Sequence, residues 1–342
     1  MTGNGTDRLD ELRREAEQVF ARNQHRLLRF GTASALVLIG AAATAMALLA
    51  ITPSSPPASG VSGTEQATDA FTPPALSDLP EGPEGDAIKR GMAIFDDPRS
   101  HAPQFVGNSL ACKNCHLDSG RRANSSPMWA AWVSYPQFRK KTGTINTMED
   151  RIRGCFLYSM NAPNSPSGAP PPAGADLYRD LGAYFHWLAR GAPTGTKMKG
   201  AGYPIPPLSD AGYDPARGAP IFEQKCAGCH GSDGQGARQP DGKVVYPPLW
   251  GPRSYNWGAG MARVDLAAAF VKANMPFDRP GTLTDQEAWD VAAYFDSHER
   301  PRDPRQTGTV EQNAKSNFSD QKTYYGKVVE GKVLGTGVPA ER

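Results

Sequence analysis

The chain has 342 residues, of which 39% are apolar, and this is enough for two or three domains with packed cores. Its 37 basic and 35 acidic residues leave a net charge of +2. This balance gives no reason to predict a nucleic-acid partner or general binding to a membrane surface. The 36 glycines and 31 prolines predict short helices that are joined by long ordered loops.

The first predicted element is a transmembrane helix at residues 30–51, which are almost wholly apolar and carry no charge. About 20 apolar residues span the hydrocarbon core of a bilayer. Because arginines precede this segment, the positive-inside rule places residues 1–29 in the cytoplasm and everything after the anchor in the periplasm. The alternative is a signal peptide, cleaved near the small residues Ala41, Ala43 and Ala45, which would leave a soluble periplasmic protein.

An internal repeat follows. The pattern Arg-Gly-x-x-Ile-Phe occurs at 90–95 and again at 217–222, and Ala-Tyr-Phe occurs at 183–185 and again at 293–295. Each copy of the first pattern precedes a cysteine motif, and each copy of the second lies in an amphipathic stretch. Each unit therefore predicts a first helix, a cysteine motif, irregular loops and an aromatic-bearing last helix.

The cysteine motifs are two copies of CxxCH, one in each unit. Two thiols at this spacing add to the vinyl groups of haem, and the adjacent imidazole binds the iron. A zinc or redox CxxC site is the alternative, which two copies in a repeated context make improbable. The pattern predicts two covalently bound haem c groups, attached through Cys112, Cys115, Cys226 and Cys229. The proximal iron ligands would be His116 and His230.

This order of elements resembles class I cytochrome c, in which the first and last helices cross and the haem fills the core. The predicted fold is mainly α, with two tandem class I cytochrome c-like domains behind an N-terminal transmembrane helix. We place a Pro/Ser-rich linker at 52–85, a catalytic domain at 86–195, an electron-transfer domain at 205–302 and a polar tail at 303–342. The composition of the tail predicts that it wraps the surface or frays.

The fifth cysteine, Cys155, has no cysteine left to pair with. A helix through this region would stack Arg151, Cys155 and Ser159 on one face, at positions i, i+4 and i+8. A ferric iron and a guanidinium would both favour the thiolate form of the cysteine. Met160 competes with Cys155 as the sixth ligand of the first haem, because its spacing mirrors that of Met275 in the second unit.

In the second unit the favoured sixth ligand is Met275. Pro276 forces its predecessor into an extended conformation, so a helix at 263–273 would end there and present the thioether from a loop. Met261 is the main competitor. Lys272 is a weaker one and is predicted to be a solvated charge.

Four stretches carry a likeness that CxxCH alone would not. They are Cys-Lys-Asn-Cys-His-Leu-Asp-Ser-Gly at 112–120, Tyr-Pro-Gln-Phe-Arg at 135–139, Arg-Ile-x-x-Cys-x-x-x-Ser-Met-Asn at 151–161 and Asn-Met-Pro at 274–276. Together they resemble the thiosulfate dehydrogenase family of dihaem cytochromes c. The resemblance implies a catalytic first haem held by His116 and Cys155, and an electron-exit haem held by His230 and Met275. The catalytic residues that it implies are Cys155, Arg151, Ser159 and, as a looser match, Arg139.

The implied reaction oxidises thiosulfate to tetrathionate and passes electrons through the first and second haems to a periplasmic cytochrome or another redox partner. The same site would also serve tetrathionate reduction. A dianionic substrate needs cationic partners. The candidates in the first domain are Arg121, Arg122, Arg139, Lys140, Lys141, Arg151 and Arg153. We predict that Lys140, Lys141 and Arg153 are solvated surface charges.

Two other functions remain open at this stage. One is a membrane-anchored dihaem electron carrier without substrate chemistry of its own, which would use Met160 and Met275 as ligands. The other is a dihaem peroxidase, which needs an open iron site and for which the sequence offers no motif.

Overall fold

The structure is a computed structural model that describes residues 71–339. The longer helices in this range are α1 Gly82–Asp96, α2 Met128–Ser134, α3 Met148–Gly154, α4 Asp176–Leu188, α5 Pro215–Lys225, α6 Val264–Asn274, α7 Asp285–Asp296 and α8 Val310–Asn317. Short helical segments lie at Pro98–His101, Leu117–Gly120 and Ala227–His230. Single 3₁₀ turns lie at Leu76–Asp78, Pro103–Phe105, Cys112–Asn114, Ala162–Asn164 and Gly260–Ala262, and a π-helical turn lies at Cys155–Ser159.

The strands form three small antiparallel hairpins. They are β1 Gln137–Arg139 with β2 Thr144–Asn146, β3 Ala237–Arg238 with β4 Val244–Tyr246, and β5 Val328–Val329 with β6 Lys332–Val333. Such short pairs do not form a core, so the packing comes from the helices.

Two helix pairs organise the chain. We call residues 71–203 the first lobe and residues 204–302 the second lobe. In the first lobe α1 packs across α4, and in the second lobe α5 packs across α7. Two hydrophobic clusters form the core, one around Trp129 and Trp187, which also includes Trp257 of the second lobe, and the other around Phe222 and Trp289.

Each crossing is built on one glycine. A Cβ atom on Gly91 would run into the carbonyl oxygen of Asp180, and a Cβ atom on Gly218 would run into that of Asp290. The missing side chain therefore lets the two backbones touch at the same place in both lobes.

An arginine beside each glycine closes the crossing. Arg90 donates to both carboxylate oxygens of Asp180, at 3.0 and 2.8 Å. Arg217 donates to both oxygens of Asp290, at 2.8 Å each. These fork-to-fork pairs fix the angle of the helices, and they explain why Arg-Gly recurs in the sequence.

The C-terminal segment extends the core of the first lobe. Phe318, Tyr325 and Leu334 are buried in it, and the stacked rings of Phe318 and Tyr325 lie 4.2 Å apart. The segment therefore packs against the protein through apolar side chains and not by polar contacts alone.

The structure begins inside the predicted linker. Phe71 packs on Trp129 at 5.3 Å between ring centres, and Arg121 donates to the carbonyl oxygens of Pro73 and Pro74. Helix α1 starts at Gly82, before the predicted boundary at 86. The part of 52–85 that precedes residue 71 lies outside the described residues.

The predicted fold class needs a correction. Within residues 71–339 no helix is both long enough and apolar enough to cross a membrane. The longest, Gly82–Asp96, has 15 residues, whereas about 20 apolar residues are needed for the hydrocarbon core. Residues 71–339 are mainly helical, and none of their helices is a transmembrane helix. Segment 30–51, where that helix and an inner-membrane contact were predicted, lies outside the described residues.

Candidate active site

The first CxxCH motif presents a neutral histidine. The ring of His116 donates from Nδ1 to the carbonyl oxygen of Ser126 at 2.7 Å, which leaves Nε2 as the atom free to bind a metal. Burial lowers the pKa of His116 to about 4, so the ring is unprotonated at neutral pH. Burial likewise raises the pKa of Cys115 to about 12.

The second motif repeats this arrangement. His230 donates from Nδ1 to the carbonyl oxygen of Pro247 at 2.9 Å, and burial lowers its pKa. Burial also raises the pKa of Cys226 to about 11. Cys229 is exposed and lies close to Tyr246, whose pKa it raises. Both motifs therefore place two thiols beside an oriented imidazole.

These donor sets fit haem c. Over residues 71–339 no group of three or more His, Cys, Asp or Glu side chains could hold a metal ion, so a zinc site would lack ligands here. A c-type haem needs only the two thiols, one imidazole and an axial ligand from the opposite side.

A π-helical turn carries the fifth cysteine. Thr147 and Asp150 form a capping box at the start of α3. The helix ends at Gly154, and the turn Cys155–Ser159 follows, with Met160 N–H donating to the carbonyl oxygen of Cys155 at 3.0 Å. Turns of this kind are frequent at functional sites.

The sequence predicted a regular helix over this stretch, and the wider turn changes one part of that picture. Arg151 keeps its place one turn before Cys155, and its Nη1 donates to Sγ at 2.9 Å. The Cys155 sulfur raises the pKa of Arg151 and so keeps the guanidinium charged. Ser159 is shifted off the predicted i+8 stack because the intervening turn is not α-helical.

Cys155 and Met160 face different surroundings. Burial raises the pKa values of Cys112 and Cys115, and the nearby Cys155 sulfur raises them further, so this sulfur lies towards the first motif. Met160 is 3% exposed and belongs to the core of the first lobe. Its carbonyl oxygen accepts from Gly107 N–H at 2.9 Å. This geometry favours Cys155 as the ligand, and the assignment stays a prediction.

Positive charge collects beside Cys155. Arg139 on β1 donates to the hydroxyl of Tyr135 at 2.8 Å, and the same Tyr135 raises the pKa of Arg151. Burial lowers the pKa of Lys141 to about 6, and the charges of Arg305, Arg151 and Arg139 act in the same direction. The three basic side chains of Arg139, Lys141 and Arg151 therefore lie around one site.

Lys141 lies at the surface, as predicted, but its charged end has protein contacts that were not predicted. Part of its side chain is exposed. Its ammonium group nevertheless donates to the carbonyl oxygen of Gly258 and lies 3.3 Å from the ring centre of Tyr158. The sequence missed this because the contact comes from the second lobe, more than a hundred residues away along the chain.

The other predicted cations lie elsewhere. Arg121 lies over the ring of Trp187 at 5.9 Å, and Arg122 lies over Phe277 at 5.2 Å. Lys140 is exposed and forms an ion pair with Asp320. Arg153 is exposed, as predicted.

Two buried asparagines hold the Cys155 turn from the outside. Asn108 donates from Nδ2 to the carbonyl oxygen of Ser159 at 2.7 Å. Asn256, which is 0% exposed, donates to the carbonyl oxygen of Leu157 at 2.9 Å and to Oδ1 of Asn161 at 3.1 Å. No local pattern in the sequence distinguishes these asparagines, since each acts on backbone that is distant along the chain.

Met275, the candidate iron ligand of the second lobe, has the backbone conformation that the proline rule predicts. Met275 follows α6 in an extended conformation and packs against the core of the second lobe. Lys272 is turned away, donating to the carbonyl oxygen of Leu283 at 2.6 Å and pairing with Asp285 at 3.0 Å. Met261 lies in the 3₁₀ turn Gly260–Ala262, between the two cores.

Comparison with known proteins accounts for both lobes. The cytochrome c family matches residues 215–299. The thiosulfate dehydrogenase of Stutzerimonas stutzeri is 47% identical over 270 residues, which are 78% of this chain and 86% of that protein. The thiosulfate dehydrogenase of Thiomonas intermedia is 43% identical over 304 residues, which are 88% of this chain and 94% of that protein. The chain belongs to the thiosulfate dehydrogenase family.

A solved structure gives the same answer. The thiosulfate dehydrogenase (TsdBA) from Marichromatium purpuratum, in its as-isolated form, is 51% identical with a TM-score of 0.75. The match covers 79% of this chain and 58% of that chain. The predicted family is thus confirmed, and with it the prediction of an oxidoreductase. Membership of the family also implies covalently bound haem c.

Proposed function

We propose that this thiosulfate dehydrogenase family member oxidises two thiosulfate ions to one tetrathionate ion and releases two electrons. Its family membership supports the reaction. The observation that carries the assignment to a site is the Arg151 guanidinium, which lies 2.9 Å from the Cys155 sulfur and has further cations around it. An oxyanion needs such donors, and a sulfur reaction needs such a nucleophile.

The cations act first. Arg151, Arg139 and Lys141 bind the sulfonate end of the first thiosulfate and direct its sulfane sulfur towards Cys155. They also reduce the repulsion between two dianions that must react with each other. Ser159, at the end of the same turn, is proposed to assist this binding.

Cys155 then bonds to the sulfane sulfur of the first thiosulfate, and two electrons leave. Haem, when bound, supplies the one-electron acceptors for these two electrons. The sulfane sulfur of the second thiosulfate attacks the sulfur that is attached to Cys155. Their S–S bond forms, the bond to Cys155 breaks, and tetrathionate leaves with the thiolate of Cys155 restored. This last step follows the logic of thiol–disulfide exchange.

We further propose that two haems are bound. The first would be attached to Cys112 and Cys115, with His116 and Cys155 as axial ligands. The second would be attached to Cys226 and Cys229, with His230 and Met275 as axial ligands. A thiolate ligand lowers the reduction potential relative to a methionine ligand, which gives the electrons a direction.

The reaction is proposed to take place on the periplasmic side. In bacterial cytochromes c, whose CxxCH motifs these resemble, haem is attached outside the cytoplasm. A periplasmic cytochrome or another redox protein would accept the electrons from the second site.

The test is an assay of purified holoprotein with thiosulfate and an artificial acceptor, in which the wild type is compared with Cys155→Ala. We expect one tetrathionate for two thiosulfates in the wild type and loss of turnover in the variant. Met160→Leu is the matched control, because it changes the competing ligand and preserves core volume. Full turnover by Cys155→Ala, with loss in Met160→Leu, would refute the proposed site.

A further inference from the structure

One side-chain amide joins the two candidate haem sites. Asn274 is the last residue of α6 and is 1% exposed. Its Nδ2 donates across the lobe boundary to the carbonyl oxygen of Asn124 at 3.0 Å, and within its own helix to that of Phe270 at 3.1 Å. A buried amide in this position bonds the first lobe and the second lobe simultaneously.

On the first-lobe side, the acceptor belongs to the loop that orients the proximal histidine. Asn124 lies two residues before Ser126, whose carbonyl oxygen accepts from His116 Nδ1 at 2.7 Å. Both loop residues have positive φ angles, 62° and 51°, which such residues adopt only when their surroundings hold them. Asn124 N–H donates to the carbonyl oxygen of Gly200 at 2.9 Å, so the last residues of the first lobe hold the loop as well.

On the second-lobe side, the donor is covalently next to the candidate axial methionine. Asn274 ends α6, and Met275 begins the extended segment that follows. A short path therefore runs from the His116 ring to Met275. It contains two side-chain hydrogen bonds, the backbone between Ser126 and Asn124, and the peptide bond that follows Asn274.

A second contact reinforces this path. Tyr203 donates its hydroxyl proton to the carbonyl oxygen of Cys115 at 3.2 Å. Its ring meets Phe270 edge-on, with ring centres 5.7 Å apart. The first cysteine motif and helix α6 are therefore held together on two sides of the same boundary.

We propose that Asn274 is a positioning residue that holds the His116 loop and the Met275 segment in one arrangement, and so sets how fast an electron crosses from the first haem site to the second. Each crossing moves one electron and no proton. The inference rests on the proposed binding of two haems, but it does not depend on thiosulfate being the electron donor.

The amide is well suited to this role because it is itself 1% exposed and bonds two backbone carbonyl oxygens at once, those of Asn124 and Phe270. Without it, the Asn124 carbonyl oxygen loses its hydrogen bond from the second lobe, and the loss of a hydrogen bond destabilises the arrangement that forms it by about 1 kcal/mol. The population of molecules in which the His116 loop and the Met275 segment are held together should then fall about tenfold.

The experiment uses holoprotein of the wild type, Asn274→Ala and Asn313→Ala. Asn313 is the matched control. It is 5% exposed and donates to Asp303 at 3.1 Å and Tyr325 at 2.8 Å, away from both motifs. Electrons are injected by a photoreduced flavin, without thiosulfate. The arrival of electrons at the second site is followed by loss of the absorption band of ferric methionine-ligated haem.

In Asn274→Ala we expect electron arrival at the second site to slow about tenfold, with an unchanged absorption spectrum of the oxidised first site. Amide hydrogen exchange at residues 123–126 should become faster. Asn313→Ala should leave the rate and the exchange of this loop unchanged.

Arrival at the wild-type rate in Asn274→Ala would overturn the proposal, as would an equal slowing in both variants. If thiosulfate fails to reduce any of the three proteins while the flavin result holds, the proposed function fails and this inference stands. If Asn274→Ala does not fold, Tyr203→Phe, which removes only the hydroxyl bond to Cys115, replaces it. It should give a smaller slowing, and an unchanged rate would also overturn the proposal.

Discussion

On one side of each candidate haem site the two lobes share an arrangement of two crossed helices and an oriented histidine, which we call the frame. On the other side they use different segments. In both, an Arg-Gly pair on the first helix packs against an aspartate on the last helix, and the CxxCH histidine donates from Nδ1 to a backbone carbonyl. The shared frame therefore does not determine which chemistry each lobe performs.

The opposite sides differ in backbone as well as in side chain. In the first lobe Cys155 begins a π-helical turn and is bonded by Arg151, with further cations nearby. In the second lobe Met275 lies in an extended segment, and the nearest candidate cation, Lys272, is paired with Asp285. Substrate chemistry is thus expected only where a nucleophile and unpaired positive charge meet. A site that only passes electrons on needs neither the nucleophile nor the positive charge.

The strongest way to break this distinction is to give the first lobe the ligand of the second. We expect Cys155→Met to keep both haems attached and to lower turnover with thiosulfate by at least about a thousandfold, because the nucleophile is gone. Steady-state kinetics measure this. The paramagnetic resonance spectrum of the ferric protein should change from a thiolate-ligated and a methionine-ligated signal to two of the methionine kind. Turnover near the wild-type value would contradict the division between the lobes.

The shared frame can be tested by filling the glycine of each crossing. Gly91→Ala and Gly218→Ala should each destabilise their lobe by about 3 kcal/mol, since the new Cβ meets backbone that cannot move aside. Thermal unfolding of the holoprotein measures the loss.

Gly182→Ala is the matched control on the last helix of the first lobe. Its Cβ would lie 3.7 Å from Trp132, an ordinary contact, so a gain of about 0.5–1 kcal/mol is expected from helix propensity. Equal losses in all three variants would show that the crossings are not special.

The frame was the part that the sequence predicted well. Arg-Gly and Ala-Tyr-Phe recur because the same crossing is built twice, and a repeated local contact leaves a repeated local pattern. Met275 was placed by an equally local rule, the restriction that Pro276 imposes on its predecessor. Both inferences needed only neighbours along the chain or along a helix.

The parts that sequence missed depend on contacts between distant segments. Nothing near Lys141 predicts that Gly258 and Tyr158 surround its ammonium group. The π turn was missed because the residues from 155 to 159 have ordinary helical preferences. The hydrogen bonds that hold the turn come from Asn108 and Asn256, which are distant along the chain. The transmembrane helix came from the apolar composition of one segment, and no described helix has that character.

The hydrogen bonds that Asn108 and Asn256 donate to the Cys155 turn, which we call the brace, offer a smaller test of the difference between the lobes. Asn256→Ala leaves the carbonyl oxygen of Leu157 unsatisfied, which should cost about 1–3 kcal/mol of stability and about tenfold in kcat as the turn loosens. The thiolate-ligated signal should broaden, and the methionine-ligated signal should not. A variant that unfolds more easily but keeps kcat and both signals would show that the brace is structural only.

The smallest expected effect concerns pH. Lys141 is surrounded by Arg305, Asp303, Arg151 and Arg139, and its pKa is lowered to about 6. Below that pH it carries a charge that attracts thiosulfate, and as the pH rises through 6 the charge is lost. We therefore expect KM for thiosulfate to be about fivefold lower at pH 5 than at pH 7.5.

Lys141→Arg stays charged throughout this range, so its KM should be low and independent of pH. Lys140→Gln removes the neighbouring ammonium group, which pairs with Asp320 at the surface, and should keep the pH dependence of the wild type. If Lys141→Arg retains that dependence, another group titrates, and the positive charge that separates the two lobes must be assigned to Arg139 and Arg151 alone.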